Sequence, residues 1–342
     1  MTERVSLSLT EVHDLASAVL RANGVAEDHS QTIADTVTAA ERDGAVSHGL
    51  FRIPGYIKSV RSGKVVTDAV PVLSELAPSV LRVDAAHGFA PLALKVGREP
   101  LARRARAQGI AALAVVNCYH FAALWPEVEA LAEQGLVAFA FTNSFSYVAP
   151  AGGAQPLYGT NPMAFAWPRV GKPPVVFDQA SSASARGEIM LAQRDGHDIP
   201  EGWAIDRHGN PTTDPTEALA GAQLPFGGYK GAAIALMVEL LAGALIGDVL
   251  SFEASERDNR DGGPPVGGEF MIAIDPARCV AGGDGGAVLA HAERLFERVL
   301  QQEGTRLPSD RRYRNRLRTP GEGITIPRAL YDTLEGLRAL DR

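Results

Sequence analysis

His48 and Arg52 stand four residues apart in the segment 43–56, DGAVSHGLFRIPGY. On a helix that spacing puts both side chains on one face. An imidazole titrates near neutral pH and can hand over a proton. A guanidinium grips a carboxylate through two parallel hydrogen bonds. Together they would orient a small carboxylic acid and protonate an atom beside its carboxylate. The same pair would also serve as a polar patch on an exposed helix. Ser47 and His48 are adjacent, so on a helix they diverge by about 100° and do not form a nucleophile–base pair by themselves.

Five more segments carry chemistry-bearing residues. Segment 117–124 (NCYHFAAL) follows the apolar run 110–116, which reads as a buried strand. Ligands favour the carboxyl ends of strands, so His120 is a candidate contact, or else a helix cap. Segment 158–162 (YGTNP) is a turn whose Thr160 either faces a cleft or only shapes the chain. In 178–188 (DQASSASARGE), Asp178 ends a strand and small residues open a helix that holds Arg186 and Glu188. Such a turn lets polar groups of a ligand approach backbone amides. Segment 224–231 (LPFGGYKG) places Lys230 at a helix start, which suits an anion. Segment 306–318 (RLPSDRRYRNRLR) packs six arginines into 13 residues. That cluster would hold a phosphate monoester, or form a solvated basic face.

The chain that must position these groups has 342 residues, and at roughly 150 residues per domain it makes about two lobes. With 33 basic and 40 acidic residues the net charge is −7, which disfavours general nucleic-acid binding. Two cysteines exclude a disulfide framework and a cysteine-based zinc site. The eight histidines show no metal-ligand spacing, so no metal is expected. Neither G-x-G-x-x-G nor G-x-x-x-x-G-K-[ST] occurs, so the standard Rossmann and P-loop phosphate cradles are not written here. The G-x-S-x-G elbow is also missing. The longest apolar run, 232–247, is short of a membrane span and includes Glu239, and the first residues have no long apolar stretch. These features predict a soluble, cytoplasmic protein without membrane contact.

Val12, Leu15, Ala16 and Val19 share a helical face, with Thr10 as cap and Asn23-Gly24 as end. A second helix is expected from Asp28 to Asp43-Gly44, and a third from Ser47 to Ser62-Gly63. Strands are expected at 80–84, 110–116, 136–142, 163–167, 175–177 and 269–274. Helices are expected at 91–108, 126–134, 182–194, 232–245, 288–300 and 328–339. Segment 253–268 reads as a surface loop. Strands in the middle and helices at both ends predict an α/β or α+β core with a helical lobe built from both termini.

The segments 47–56, 120–136, 156–168, 176–188, 199–215, 224–243 and 267–276 together resemble the type-2 malate/L-lactate dehydrogenase family. These are NAD(P)-dependent oxidoreductases without a Rossmann domain. Within the family, FRIPGY, HFAALWP, FGGYKG and RLPSDRRY are most similar to the 1-piperideine-2-carboxylate/1-pyrroline-2-carboxylate reductases. The resemblance implies a non-Rossmann NADP-binding sheet domain at 118–296. It implies a helical, substrate-side lobe at 1–117 and a C-terminal helical segment at 297–342 packed on that lobe. The implied reaction is reduction of a cyclic imino acid by NADPH to L-pipecolate or L-proline. The implied assembly is a homodimer with its site near the subunit boundary. On this pattern His48 is the proton donor, Ser47 and Glu188 complete its relay, Arg52 holds the substrate carboxylate and Thr160 contacts substrate. The nucleotide would be lined by His120, Phe121, Ala122, Ala123 and Leu124, by Asp178, Gln179 and Ala180, and by Arg186 and Lys230. Arg306, Leu307, Pro308, Ser309, Asp310, Arg311 and Arg312 would close that side. Arg311 and Arg312 point to NADP over NAD.

Glu188 stands where keto-acid reducing members carry lysine and imine reductases carry aspartate. A carboxylate there would keep the imidazole protonated and favour an iminium cation. A lysine would suit a developing alkoxide. The alternative is a 2-hydroxy-acid dehydrogenase of malate, lactate or ureidoglycolate type on the same fold.

Overall fold

The computed structural model describes residues 3–120 and 122–339. The first lobe comprises β1 (Arg4–Leu7), α1 (Leu9–Ala22), α2 (Glu27–Asp43) and α3 (Ile53–Ser62). Val12, Leu15, Ala16 and Val19 of α1 are buried, as their spacing predicts. The cap is Ser8 rather than Thr10: its Oγ accepts from the Glu11 amide while Glu11 Oε2 accepts from the Ser8 amide, a capping box. α2 starts at Glu27, so Asp28 lies inside its first turn instead of capping it.

The central elements are β2 (Val72–Ala77), β3 (Val80–Asp84), α4 (Ala90–Gln108), β4 (Ile110–Tyr119), α5 (Trp125–Ala132), β5 (Val137–Thr142), β6 (Met163–Trp167) and β7 (Val175–Gln179). Next come α6 (Arg186–Asp195), β8 (Ala204–Ile205), β9 (Pro211–Thr212), α7 (Pro215–Ala220), β10 (Ala222–Gln223), α8 (Tyr229–Ala242), α9 (Ser251–Glu256) and β11 (Val266–Ile274). The chain closes with α10 (Gly285–Leu300), α11 (Asp310–Glu322), β12 (Ile324–Pro327) and α12 (Arg328–Arg338). The expected loop at 253–268 thus contains most of α9 and the start of β11. The arginine-rich 306–318 stretch is mostly the helix α11.

Seven strands form the main sheet in the order β2-β3-β4-β11-β5-β6-β7. Only β3 and β4 run parallel. All other neighbours are antiparallel. This mixed sheet is not the mostly parallel Rossmann arrangement. It begins at residue 72, so the division expected between 117 and 118 falls inside β4, a strand bonded on both sides. One face packs Leu113, Val115, Ala138 and Met271 against α4 and α5. Gly97 of α4 allows this approach, because a Cβ there would lie 2.5 Å from Leu113 Cδ2. The other face packs Ala114, Val116, Phe141 and Phe270 against Val238 and Ala242 of α8.

The chain's two ends meet: β1 pairs antiparallel with β12, Arg4 opposite Pro327, and Ile326 and Leu334 join the core of the first lobe. α8 with the turn that follows it, Tyr229–Ile246, is long and apolar enough to cross a membrane by length and composition. That corrects the expectation that this run is too short. Its inner side is packed on the sheet, and buried Glu239 Oε1 accepts from Asn161 Nδ2 at 2.7 Å.

Candidate active site

The segment carrying His48 and Arg52 is not one helix. It forms two short 3-10 turns, Val46–His48 and Leu50–Arg52, broken at Gly49. Glu41 of α2 lies buried beneath them and its Oε1 accepts from the Leu50 amide at 2.8 Å. A Cβ at position 49 would lie 2.1 Å from that oxygen, so any larger residue would have to displace the Glu41 carboxyl. The turn geometry brings adjacent side chains together where an α-helix would splay them: Ser47 Oγ is 3.1 Å from His48 Nδ1. Arg52 Nε donates to the Ser47 carbonyl at 2.6 Å. Gly187 of α6 packs on this group, its missing Cβ 3.4 Å from Ser47 Cβ and 3.5 Å from Arg52 Nη2.

His48, Arg52 and Thr160 line one cleft of about 850 Å3. Burial, and then the positive Arg52 and neighbouring His120, drive the His48 pKa down to about 3. The free site therefore holds this imidazole neutral. Burial pushes the Glu41 carboxyl up to about 7, against the Leu50 hydrogen bond. Thr160 is held through Ser144, whose Oγ accepts from the Thr160 amide at 3.0 Å. The same turn is tied to α8, where Glu239 Oε1 also accepts from the Gly159 amide at 3.2 Å.

Glu188 departs from expectation. It lies in the first turn of α6 with an exposed side chain and does not line the cleft. Among the described residues no carboxylate forms an ion pair with His48. The helix register explains this: Gly187 is the residue that faces Ser47, which turns its neighbour outward.

The rest of the cleft runs along the carboxyl ends of β4 and β7. His120, Ala122, Ala123, Leu124, Asp178, Gln179, Ala180 and Arg186 line it. Phe121 lies outside the described residues. Asp178 accepts from the Leu124 and Trp125 amides at 2.8 and 3.0 Å, pinning the start of α5 to β7. Arg306, Pro308, Ser309, Arg311 and Arg312 form the facing wall. Leu307 and Asp310 support that wall from behind: Leu307 is buried and its amide donates to Asp310 Oδ2 at 2.9 Å. Lys230 is exposed at the start of α8 and does not reach the cleft. Its lead-in, Gly227-Gly228, instead takes positive φ values of 57° and 65° that turn the chain into α8.

Several contributors have no signature in local spacing. Trp125 stacks under Arg312, with the guanidinium carbon 4.5 Å from the ring centroid. Tyr147 stacks on Arg186 at 3.7 Å. Arg316 of α11 bridges Asp43 and Glu129, its Nη2 2.9 Å from Glu129 Oε2, and so fixes the cleft edge at 43–45. Trp125 was within reach of sequence reasoning, since it belongs to the HFAALWP motif. Tyr147 and Glu41 come from elements brought in only by the fold.

The malate/L-lactate dehydrogenase family model matches residues 7–335. The Delta(1)-pyrroline-2-carboxylate reductase of Ancylobacter novellus is 53% identical over 98% of each chain. The (2R)-3-sulfolactate dehydrogenase (NADP(+)) of Chromohalobacter salexigens is 48% identical, covering 96% of each chain. Among solved structures, delta1-piperideine-2-carboxylate reductase from Pseudomonas syringae superposes with a TM-score of 0.90 at 42% identity, covering 97% of this chain and 99% of that one. With its seven-stranded mixed sheet and the His48–Arg52 turn at one end of the cleft, the chain belongs to the malate/L-lactate dehydrogenase family of oxidoreductases.

Proposed function

We propose that this protein reduces cyclic imino acids with NADPH, 1-pyrroline-2-carboxylate to L-proline and 1-piperideine-2-carboxylate to L-pipecolate. The observation that carries the reading is the Ser47–His48–Arg52 turn, whose His48 and Arg52 line a cleft of about 850 Å3 together with Asp178, Arg186, Arg311 and Arg312. The names of the relatives support the substrate class. The donor set fits the nucleotide. Arg186 Nη1 is buried and has no protein acceptor among the described residues, while Arg306, Arg311 and Arg312 supply cations along one wall. Small residues Ala122, Ala123 and Ala180 leave room for its rings. When bound there, the nicotinamide supplies the hydride.

The chain's own residues do the rest. Arg52 takes the substrate carboxylate, which sets the ring nitrogen toward His48. Ser47 Oγ occupies His48 Nδ1, leaving Nε2 to carry the proton toward the cleft. Arg52 is one of the charges that holds His48 neutral. A substrate carboxylate bound on Arg52 offsets that repulsion, so substrate binding moves the imidazole pKa upward against burial, its larger cause, in the direction a general acid needs.

A second reading is favoured by one observation. With Glu188 turned outward and Arg52 beside His48, the field at the acid is positive, which suits an alkoxide developing on a keto acid. The deciding experiment is NADPH oxidation with each cyclic imine beside pyruvate and oxaloacetate. Faster turnover of the imines supports the proposal; faster turnover of the keto acids replaces it with a 2-hydroxy-acid dehydrogenase.

We infer a cytoplasmic homodimer. Tyr229, Leu236, Leu240 and Leu245 lie exposed along α8 and the turn after it, an apolar strip of the kind that marks a subunit contact. Leu240→Glu should shift the mass in light scattering from dimer to monomer; an unchanged mass assigns the contact elsewhere.

A further inference from the structure

Beneath the cleft, behind His120, lies a carboxyl group that the mechanism does not use. Glu269 of β11 is completely buried, opposite Val115 of β4 and Thr142 of β5. Its side chain points to the α4 and α5 face. Between Gly267 and Glu269 the register slips, β4 advancing from Val115 to Cys118. The extra residue falls at Val116–Asn117, where Asn117 takes φ 53°. Bulges re-aim side chains, and this one sends the chain after β4 back over Glu269. As a result His120 Nε2 stands 3.5 Å from Glu269 Oε2.

The charges around Glu269 leave it no cation of its own. Arg98 of α4 is paired with Glu127 of α5 at 2.7 Å. Asp178 of β7 is satisfied by two amides, and Cys118 of β4 is a buried thiol. Burial pushes the Glu269 carboxyl well up, Glu127 and then Asp178 add to it, and Arg98 opposes them. His120 is held neutral by burial, down to about 4. Both Glu269 oxygens and His120 Nε2 are buried without another protein partner among the described residues. A buried neutral carboxyl has one O–H to give, and that ring nitrogen, 3.5 Å away and itself without a partner among the described residues, is an acceptor for it.

We propose that Glu269 is a positioning residue for the nucleotide site: it donates a hydrogen bond to His120 Nε2 and so fixes the tautomer that presents an Nδ1–H donor to the cleft. His120 lines that cleft. The ring then meets a carbonyl or phosphoryl oxygen of the ligand as a donor. The role toward the ligand rests on the nucleotide reading above; the tautomer does not.

The test has two readouts. Imidazole 15N spectra of the histidine-labelled protein, with His120 assigned by His120→Gln, report the tautomer. NADPH titration by tryptophan fluorescence reports affinity. Glu269→Gln keeps an N–H donor to Nε2, so it should preserve the Nδ1–H tautomer and bind NADPH within about twofold of the parent. Glu269→Leu should yield mixed tautomers and weaken NADPH about tenfold, with an unchanged circular dichroism spectrum. Parent affinity should fall as pH rises far enough to ionise Glu269, and the Gln variant should lack that fall. An Nε2–H tautomer in the parent overturns the proposal. So does a folded Leu variant of parental affinity. If the parent protein binds neither NADPH nor NADH, the nucleotide reading and the ligand role of Glu269 both fall, while the 15N spectrum still decides the tautomer.

Discussion

Glu41→Gln isolates a titratable carboxyl that supports the acid-bearing turn. The carboxyl accepts from the Leu50 amide at 2.8 Å, and no cation pairs with it among the described residues. Its pKa moves from 4.5 to about 7 on folding. A folded value above the unfolded one means that the native state holds a proton the unfolded chain has lost. Stability from this group is therefore complete below about pH 4.5 and falls as pH rises toward 7, then levels off. The rise from 4.5 to about 7, at about 1.36 kcal/mol per decade of proton affinity, sets an upper bound of about 3.4 kcal/mol. Glutamine keeps the accepting oxygen and cannot ionise. Urea unfolding at pH 4.5 should show the variant near the parent or slightly weaker. At pH 8 the variant should be more stable by about 1–3 kcal/mol, the difference growing between those pH values. A stability difference that is the same at both ends would refute the view that Glu41 ionises while buried beneath the turn.

Three further outcomes follow from the same geometry. His48→Ala should lower imine reduction by at least about 100-fold in kcat with little change in nucleotide affinity, the cost of a lost general acid; steady-state kinetics with stopped-flow binding separates the two. Gly49→Ala puts a Cβ 2.1 Å from Glu41 Oε1. It should cost about 1–3 kcal/mol in thermal unfolding, and a variant as stable as the parent would show that Glu41 yields freely. Arg311→Ser with Arg312→Ser should raise the KM for NADPH at least tenfold and leave NADH nearly unchanged. Equal losses for both nucleotides would remove these arginines from any discrimination by the 2′-phosphate.

Periodicity located most of the scaffold because its signals are local. The apolar run at 110–116 became β4, and the spacing of Val12, Leu15, Ala16 and Val19 became the buried face of α1. The helix expected from Ser47 to Ser62-Gly63 forms from Ile53 onward as α3, and its start is lost for a tertiary reason: Glu41 bonds the Leu50 amide beside the break at Gly49, and nothing in the local pattern shows that contact. Charge dominates the arginine-rich stretch and masks the helix α11. Its Arg316 turned out to bridge Asp43 and Glu129, 273 and 187 positions away. Motif matching brought His48, Arg52, Thr160, His120 and Arg311 to one cleft. It misplaced Glu188 and Lys230 because a motif fixes position along the chain and not the rotation of a side chain about its helix.

The pairing of β1 with β12 gives the molecule an unusual order of dependence. Arg4 and Pro327 can meet only after a loop of more than three hundred residues has closed, which is entropically slow and late. Leu334 then seals the helices that carry the acid end of the cleft, while the sheet holds its own core. Proteolytic nicking at 301–305, ahead of α11, or a mutation that loosens α12, should therefore disarm the chemistry before it unfolds the body of the protein. The joint between the termini acts as a safety catch on an otherwise finished enzyme.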